Sequence, residues 1–119
     1  MKGMAVEVEA ATGTRTIAAL WRRAQERTGS AYLVEQEGEW REVSWQEAST
    51  AVDEIASGLL ALGIGKGDAF GILARTTLEW VLFDFALGSI GAIGVGIYPS
   101  LPARDCAYIL DHSDAVGVL

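Results

Sequence analysis

Residues 44–74, "SWQEASTAVDEIASGLLALGIGKGDAFGILA", decide the fold class of this 119-residue chain. Ser44 and Glu47 have capping-box spacing, in which the hydroxyl accepts from one free amide and the carboxylate reaches back to another. After the helix, Gly63 stands where a left-handed residue is needed, and the run 69–74 is apolar like a strand covered on both faces. The stretch predicts a helix, a tight turn and a buried strand. The apolar face of the helix comprises Ala48, Val52, Ile55, Ala56, Leu59 and Leu62.

Helix–strand units of the same kind continue toward the carboxyl end of the chain. Thr76 and Glu79 repeat the capping spacing before a helix that is apolar almost all round and must be buried on more than one side. The apolar run 92–97 predicts another buried strand. Pro102 opens a short helix, and the run 115–119 begins a further strand. The inward face of the short helix is formed by Cys106, Ile109 and Leu110.

The amino-terminal part of the sequence predicts a helix and a β-hairpin. The helix starts at Thr16 and stops at Gly29. Residues 31–45 are rich in aromatic and β-branched residues and predict two short strands that turn at Glu37 and Gly38. The apolar positions of the first helix are Ile17, Leu20, Trp21 and Ala24.

The order of these elements predicts an α/β fold: a helix and a small hairpin, then repeated helix–strand units forming part of a parallel, doubly wound sheet. The chain stops at Leu119, in a strand of the buried type that a further helix normally covers. We therefore expect a truncated piece of a larger N-terminal domain. Residues 1–15 are expected to form a mobile or dimer-contacting arm, and residues 16–119 the incomplete domain.

Composition excludes several classes of function. A net charge of −7 opposes nucleic-acid binding, which requires a basic surface. One cysteine, Cys106, and one histidine, His112, rule out an intrachain disulfide and argue against a Cys/His zinc site. Glutamates near the N-terminus oppose a signal peptide, and Glu79 and Asp84 oppose a membrane span over 78–97. We expect a cytoplasmic protein without a transmembrane segment.

The glycine-rich stretch "GIGKGDAFGIL" at 63–73 resembles a phosphate-binding loop only in composition. A phosphate-binding loop runs from a strand to a helix, so that a helix N-terminus faces the anion. This stretch instead follows a helix and precedes a strand. We expect a turn in which Asp68 bonds nearby amides and Lys66 lies in solvent.

Ligands of parallel sheets bind beyond the carboxyl ends of the strands. The loops there are "RTTLE" at 75–79 and "YPSLP" at 98–102, which offer Arg75 and Tyr98 as candidate substrate-binding residues. No catalytic mechanism follows from the residues alone. His112, beside Asp111 and Asp114, is expected at a solvated helix end, and Glu47, Asp53 and Glu54 on the polar face of a helix.

The ordered segments over 16–119 resemble the N-terminal region of AMP-forming acyl-CoA synthetases, in the adenylate-forming superfamily. The most specific parts are "GLLALGIGKGDAFGILA" at 58–74, the Glu79-Trp80 pair and "GAIGVGIYPSLPARDCAYIL" at 91–110. "IYPS" at 97–100 points to the long-chain fatty acid–CoA ligase branch. The sequence departs from the family at Thr76 and Thr77, where an asparagine and a small or basic residue are common.

The resemblance implies a parent enzyme that uses ATP, Mg²⁺ and CoA to convert a fatty acid into an acyl-adenylate and then a thioester. The family's phosphate loop, later nucleotide-binding motifs and catalytic lysine would lie beyond Leu119. We therefore expect no catalytic, cofactor-binding or metal-binding residue in this chain, no activity and no cofactor bound by the chain alone. Contact with fatty acid, ATP and CoA would come through the remainder of the enzyme.

Two further possibilities remain open from the sequence. The chain could be a non-catalytic assembly module instead of part of that ligase. Such a module would pair through its sheet edge or its arm, for example as a homodimer. The parent could also be a fatty acyl-AMP ligase that loads a carrier protein. Each of these possible functions is compatible with peripheral contact between the protein and a membrane.

Overall fold

The computed structural model describes residues 15–119. Residues 1–14 of the predicted arm lie outside the described residues. The first helix and the hairpin are followed by three helix–strand units, as the sequence predicts. In chain order the elements are α1 (Ile17–Ala24), β1 (Ser30–Gln36), β2 (Glu39–Ser44), α2 (Trp45–Ala61), β3 (Ala69–Leu73), α3 (Leu78–Ser89), β4 (Ile93–Ile97), α4 (Ala103–His112) and β5 (Ala115–Val118).

The last three strands form a parallel sheet in the order β4-β3-β5. Glycines show which helix covers which face. A Cβ at Gly71 of β3 would lie 2.7 Å from Leu110 Cδ2 of α4, whereas a Cβ at Gly94 of β4 would lie 2.6 Å from Asp84 Oδ1 of α3. Because α3 and α4 cover opposite faces, the sheet is doubly wound. The predicted fold class is confirmed.

β1 and β2 form a separate antiparallel hairpin. Its two-residue loop places Glu37 at φ 54° and Gly38 at φ 86°, the left-handed conformations that a tight hairpin turn requires. The turn predicted at these residues is confirmed.

The structure confirms one of the two hydrogen bonds that the sequence predicts for the capping box of α2. Ser44 Oγ accepts a hydrogen bond from the Glu47 amide at 3.0 Å, so the expected cap residue is right. The Glu47 carboxylate does not return to Ser44; it accepts from Arg41 Nη1 of β2 at 2.8 Å. A charged donor on the adjacent strand replaces the reciprocal contact of a capping box.

The cap of α3 is Thr77, so the prediction of Thr76 was wrong by one residue. Thr77 has extended backbone, and its hydroxyl oxygen lies 3.5 Å from the Trp80 amide that donates to it. The Glu79 carboxylate accepts hydrogen bonds from its own amide and from the Thr77 hydroxyl, and these lower the pKa of the carboxyl. Either threonine could supply the hydroxyl, but the helix begins at Leu78.

The core is built around Trp21 of α1, which is 2% exposed and stacks on Phe85 of α3 with ring centroids 4.5 Å apart. All of α3 except Glu79 is buried or half-buried, which confirms the prediction of burial on more than one side. Other fully buried residues of this core are Val43, Ala48, Val52, Ile72, Ala86 and Leu87.

Three predictions at helix boundaries and faces were wrong. α1 ends at Ala24 rather than near Gly29, which has φ 86° and precedes β1. The side chains of Ile17 and Leu20 are each about half exposed, because only one side of this short helix packs on α3. Leu62 is exposed because the helix has already ended when the chain turns at Gly63.

The run 92–97 forms a strand, as predicted, but not a buried one. Ile93 is 54% exposed, and of the five residues in β4 only Ile97 is buried. β4 is an edge strand, so its outer side has no neighbouring strand among the described residues. β5, at the other edge, also exposes Val116 and Val118. By contrast, the first four residues of β3 are buried, as the sequence predicts for a central strand.

The stretch 78–97 consists of a 12-residue helix, a turn and a strand. Within residues 15–119, no helix has the length and apolar character needed to cross a membrane.

Two glycine-to-alanine substitutions should have opposite effects on the free energy of unfolding. Gly71→Ala should destabilise the chain by about 1–3 kcal/mol, because its methyl group would collide with Leu110 in a packed interface. Gly58→Ala should stabilise it by roughly 0.5–1 kcal/mol, because the site is helical with open space around it. Urea unfolding of both variants measures these changes. Equal stability of the two variants would contradict the assigned packing.

Candidate ligand-binding site

A pocket of about 430 Å³ opens where β3 and β4 end. It lies between the loop that leads from β3 into α3 and the loop that leads from β4 into α4. Its volume is within the range of small-molecule sites, roughly 300–1,000 Å³. The residues that line it are Ala74, Arg75, Thr76, Trp80, Gly96, Ile97, Tyr98 and Pro99.

The pocket lies at the carboxyl ends of two adjacent strands whose following helices cover opposite faces of the sheet. β3 and β4 are adjacent, yet β3 leads into α3 on one face and β4 leads into α4 on the other. Loops that diverge in this way leave a crevice at the carboxyl ends of the two strands, where α/β proteins commonly bind ligands. Topology therefore favours this pocket as the candidate site.

Arg75 and Tyr98, the two candidates from the sequence, line the same pocket. Each lies at the carboxyl end of a different strand, and parallel pairing of Leu73 with Ile97 brings the two loops side by side. Tyr98 is 78% exposed and Arg75 is also exposed. Both side chains are thus accessible at the mouth of the pocket.

Sequence reasoning missed Trp80 and Gly96 as lining residues. Trp80 has the apolar character of a core residue, but the first turn of α3 places it beside the loop after β3. A Cβ at Gly96 would lie 3.5 Å from Trp80 Cζ2, so the indole packs against the strand at this glycine. The available signal was the position of Trp80, three residues after the cap Thr77.

The pocket has positive character. Arg75 is the charged residue among the eight that line it, whereas the whole sequence carries a net charge of −7. Within residues 15–119 no carboxylate pairs with Arg75. The Glu79 carboxylate accepts hydrogen bonds from its own amide and from Thr77 at the N-terminus of α3, rather than pairing with Arg75. The arrangement can bind an anion, with aromatic and hydroxyl groups nearby.

The glycine-rich stretch forms the predicted turn at the opposite, amino-terminal end of β3. Gly63 and Gly67 have φ of 85° and 86°, and the Gly65 amide donates to the Asp68 carboxylate at 2.9 Å. The Gly67 amide donates to the Gly91 carbonyl at 2.9 Å, which ties the turn to the end of α3. Lys66 is exposed, as predicted.

The remaining candidates do not assemble into a catalytic or metal site. His112 stacks on Tyr108 at the exposed end of α4, with centroids 5.5 Å apart. Glu47, Asp53 and Glu54 lie on the exposed face of α2. Across residues 15–119, the structure contains no group of three or more His, Cys, Asp or Glu residues that could hold a metal ion.

The comparison with known proteins decides the family. The AMP-binding enzyme family matches residues 20–119. The chain belongs to this family. Long-chain-fatty-acid–CoA ligase FadD15 of Mycobacterium bovis is 35% identical over 94 residues, which are 76% of this chain and 16% of FadD15. The chain thus spans about a sixth of the length of this relative.

Solved structures agree on the fold. Klebsiella oxytoca NpsA in complex with 3-hydroxyanthranilyl-AMSN superimposes with a TM-score of 0.78 at 21% identity, over 88% of this chain and 21% of that one. A Mycobacterium tuberculosis fatty acyl CoA synthetase gives 0.76 at 22% identity, over 87% and 20%. The described residues therefore have the fold of part of an adenylate-forming enzyme, as the sequence resemblance implies.

Asp84 of α3 provides a test of the packing beside the site. Burial against Gly94 raises the pKa of its carboxyl. The cost of burying the charge is absent below the unfolded pKa of about 3.9 and is complete above the folded pKa. We expect Asp84→Asn to be more stable than the unchanged chain at neutral pH, and the difference in the free energy of unfolding should vanish at about pH 3.

Urea unfolding across a pH series measures this difference. Asp111→Asn, on the exposed surface of α4, controls for the change in net charge. A gain of stability that is equal for both variants would mean that burial of Asp84 is not its cause.

Proposed function

We propose that this chain is the N-terminal portion of an ATP-dependent long-chain fatty acid–CoA ligase. The family match over residues 20–119 and the 35% identity to FadD15 support this function. The observation that carries it furthest is the family match together with a pocket that contains Arg75 at the carboxyl ends of β3 and β4. We assign the activity to the cytoplasm.

The proposed reaction has two steps. A carboxylate oxygen of the fatty acid attacks the α-phosphorus of ATP, which forms an acyl-adenylate and releases pyrophosphate. The CoA thiolate then attacks the acyl carbonyl carbon and releases AMP. Mg²⁺ would neutralise charge on the phosphates during the first step.

The role that we assign to this chain is scaffolding and ligand contact. Arg75 and Tyr98 would contact an anionic substrate from the carboxyl ends of β3 and β4. Within residues 15–119 no group of three or more His, Cys, Asp or Glu residues could hold a metal ion, and we assign the chemistry to groups from the remainder of the enzyme. The 119-residue chain alone should be inactive.

Two assays test the ligase. The 119-residue chain should show no ATP–pyrophosphate exchange with palmitate. A longer polypeptide from a reading frame that continues past Leu119 should show exchange and then form a thioester with CoA. Exchange by the short chain would disprove its inactivity, and no fatty acid-dependent exchange by the longer polypeptide would disprove the ligase. Replacing CoA by a phosphopantetheinyl carrier protein, and palmitate by octanoate, tests the acceptor and the chain length.

Within the longer polypeptide, Arg75→Gln should raise KM for the anionic substrate by about tenfold, because a charge-assisted hydrogen bond is lost. Lys66→Gln removes the same charge at the other end of β3 and is the matched control. Unchanged KM values in Arg75→Gln would remove this residue from the site without affecting the proposed activity.

Self-assembly is a second candidate function, because the sheet has two open edges. β4 and β5 have no outer neighbour among the described residues, and they expose Ile93, Val116 and Val118. Light scattering over a range of concentrations should show a mass above 12.7 kDa that rises with concentration. A constant monomer mass would exclude this function. The predicted dimer contact through residues 1–15 remains a proposal, because it lies almost wholly outside the described residues.

A further inference from the structure

We propose that Thr77 is a positioning residue for the candidate pocket. Its hydroxyl holds the Glu79 carboxylate on the far side of the loop that leads from β3 into α3, which keeps Arg75 available to an anionic ligand. This inference rests on the anion-binding role proposed above for Arg75. It adds a residue that acts on the ligand through another residue, and its first test requires no ligase activity.

The loop between β3 and α3 separates two cavities. One is the candidate pocket, which Arg75 lines. The other is a groove of about 520 Å³ between β1 and the start of α3, and the residues that line it include Thr77, Glu79 and Glu35. Thr76 lines both cavities, so they lie on either side of the loop. Glu79 is among the residues of the groove and not among those of the pocket.

The hydroxyl of Thr77 makes two contacts at the N-terminus of α3. Its oxygen accepts a hydrogen bond from the Trp80 amide at 3.5 Å, which caps the helix. The hydroxyl also donates to the Glu79 carboxylate. A hydroxyl can donate one hydrogen bond while its oxygen accepts another, so the two contacts are compatible. The same threonine therefore restrains Glu79 and fixes the turn that carries Trp80, a residue of the pocket.

The charges around Glu79 favour its movement toward Arg75 once the restraint is lost. Glu35 has the same charge, lines the same groove and accepts from the Gly38 amide of the hairpin at 2.7 Å. Arg75 is exposed, and among residues 15–119 no carboxylate pairs with it. The Cα atoms of Arg75 and Glu79 are four residues apart and therefore at most about 14 Å from each other, within reach of two long side chains. A carboxylate paired with Arg75 would compete with an anionic ligand.

The first test measures the pKa of the Glu79 carboxyl by NMR in the full 119-residue chain. Arg75→Gln alone should leave this pKa nearly unchanged, because Glu79 is bound by Thr77 and not by Arg75. In Thr77→Val the carboxylate gains Arg75 as its partner, so adding Arg75→Gln to that variant should raise the pKa of Glu79. An effect of Arg75→Gln that is absent in both backgrounds, or equal in both, would overturn the proposal.

The second test measures KM in the longer polypeptide for palmitate, ATP and CoA in turn. For the substrate whose KM rises in Arg75→Gln, Thr77→Val should raise KM by about two- to fivefold and leave kcat unchanged, since competition comes from one exposed ion pair. Adding Glu79→Gln to Thr77→Val should restore KM, because no carboxylate remains at this position to compete. Thr77→Ser keeps the hydroxyl and should leave KM unchanged.

Thr16→Val is the matched control for the loss of a helix cap. The Thr16 hydroxyl oxygen caps α1 by accepting from the Ala19 amide at 3.1 Å, and Thr16 is not a residue of the pocket. Both cap variants should unfold at a lower urea concentration, but only Thr77→Val should raise KM. A rise in KM that Glu79→Gln does not reverse, or an equal rise in Thr16→Val, would overturn the proposal. The NMR test does not depend on catalysis, so failure of this inference and failure of the ligase function are distinguishable.

Discussion

The contact of Gly71 with α4 is the constraint on which the sheet depends. Gly71 lies in the middle of the central strand β3, and the side chains of Leu110 and Val118 occupy the space where a larger residue would need its Cβ. This close approach lets α4 cover one face while α3 covers the other. Because each helix returns to a different side of β3, the loops after β3 and β4 diverge. The candidate pocket is the space between them.

The glycines of β4 affect how α3 packs on the sheet. Gly94 and Gly96 face α3. A Cβ at Gly94 would collide with Asp84 Oδ1 at 2.6 Å, whereas a Cβ at Gly96 would make an ordinary contact with Trp80 at 3.5 Å. The same absence of side chains leaves the outward backbone of β4 unshielded. The glycine at position 94 therefore determines how closely α3 packs on β4, whereas the strand order places β4 at an edge.

The sequence predicted the features that depend on local chemistry. The Ser44 cap, the turn at Glu37 and Gly38 and the left-handed Gly63 follow from residues within a few positions of each other. Burial of β3 also followed, because the strand is apolar throughout. The exposure of β4 could not be predicted, since its composition is that of a buried strand and only the strand order places it at an edge. The Glu47–Arg41 pair depends likewise on the hairpin packing beside α2.

The candidate site was likewise predictable from the sequence only in part. Arg75 and Tyr98 could be selected because each follows a predicted strand, and parallel pairing brings their loops together. Trp80 lies on a helix that is apolar all round, so the sequence does not separate its role from that of the core aromatics. The indole of Trp80 packs against β4 at Gly96, and this contact identifies Trp80 as a residue that lines the pocket. We propose that this chain contacts substrate through Arg75 rather than through the glycine-rich turn around Lys66, because Arg75 lines the pocket and Lys66 lies at the opposite end of β3.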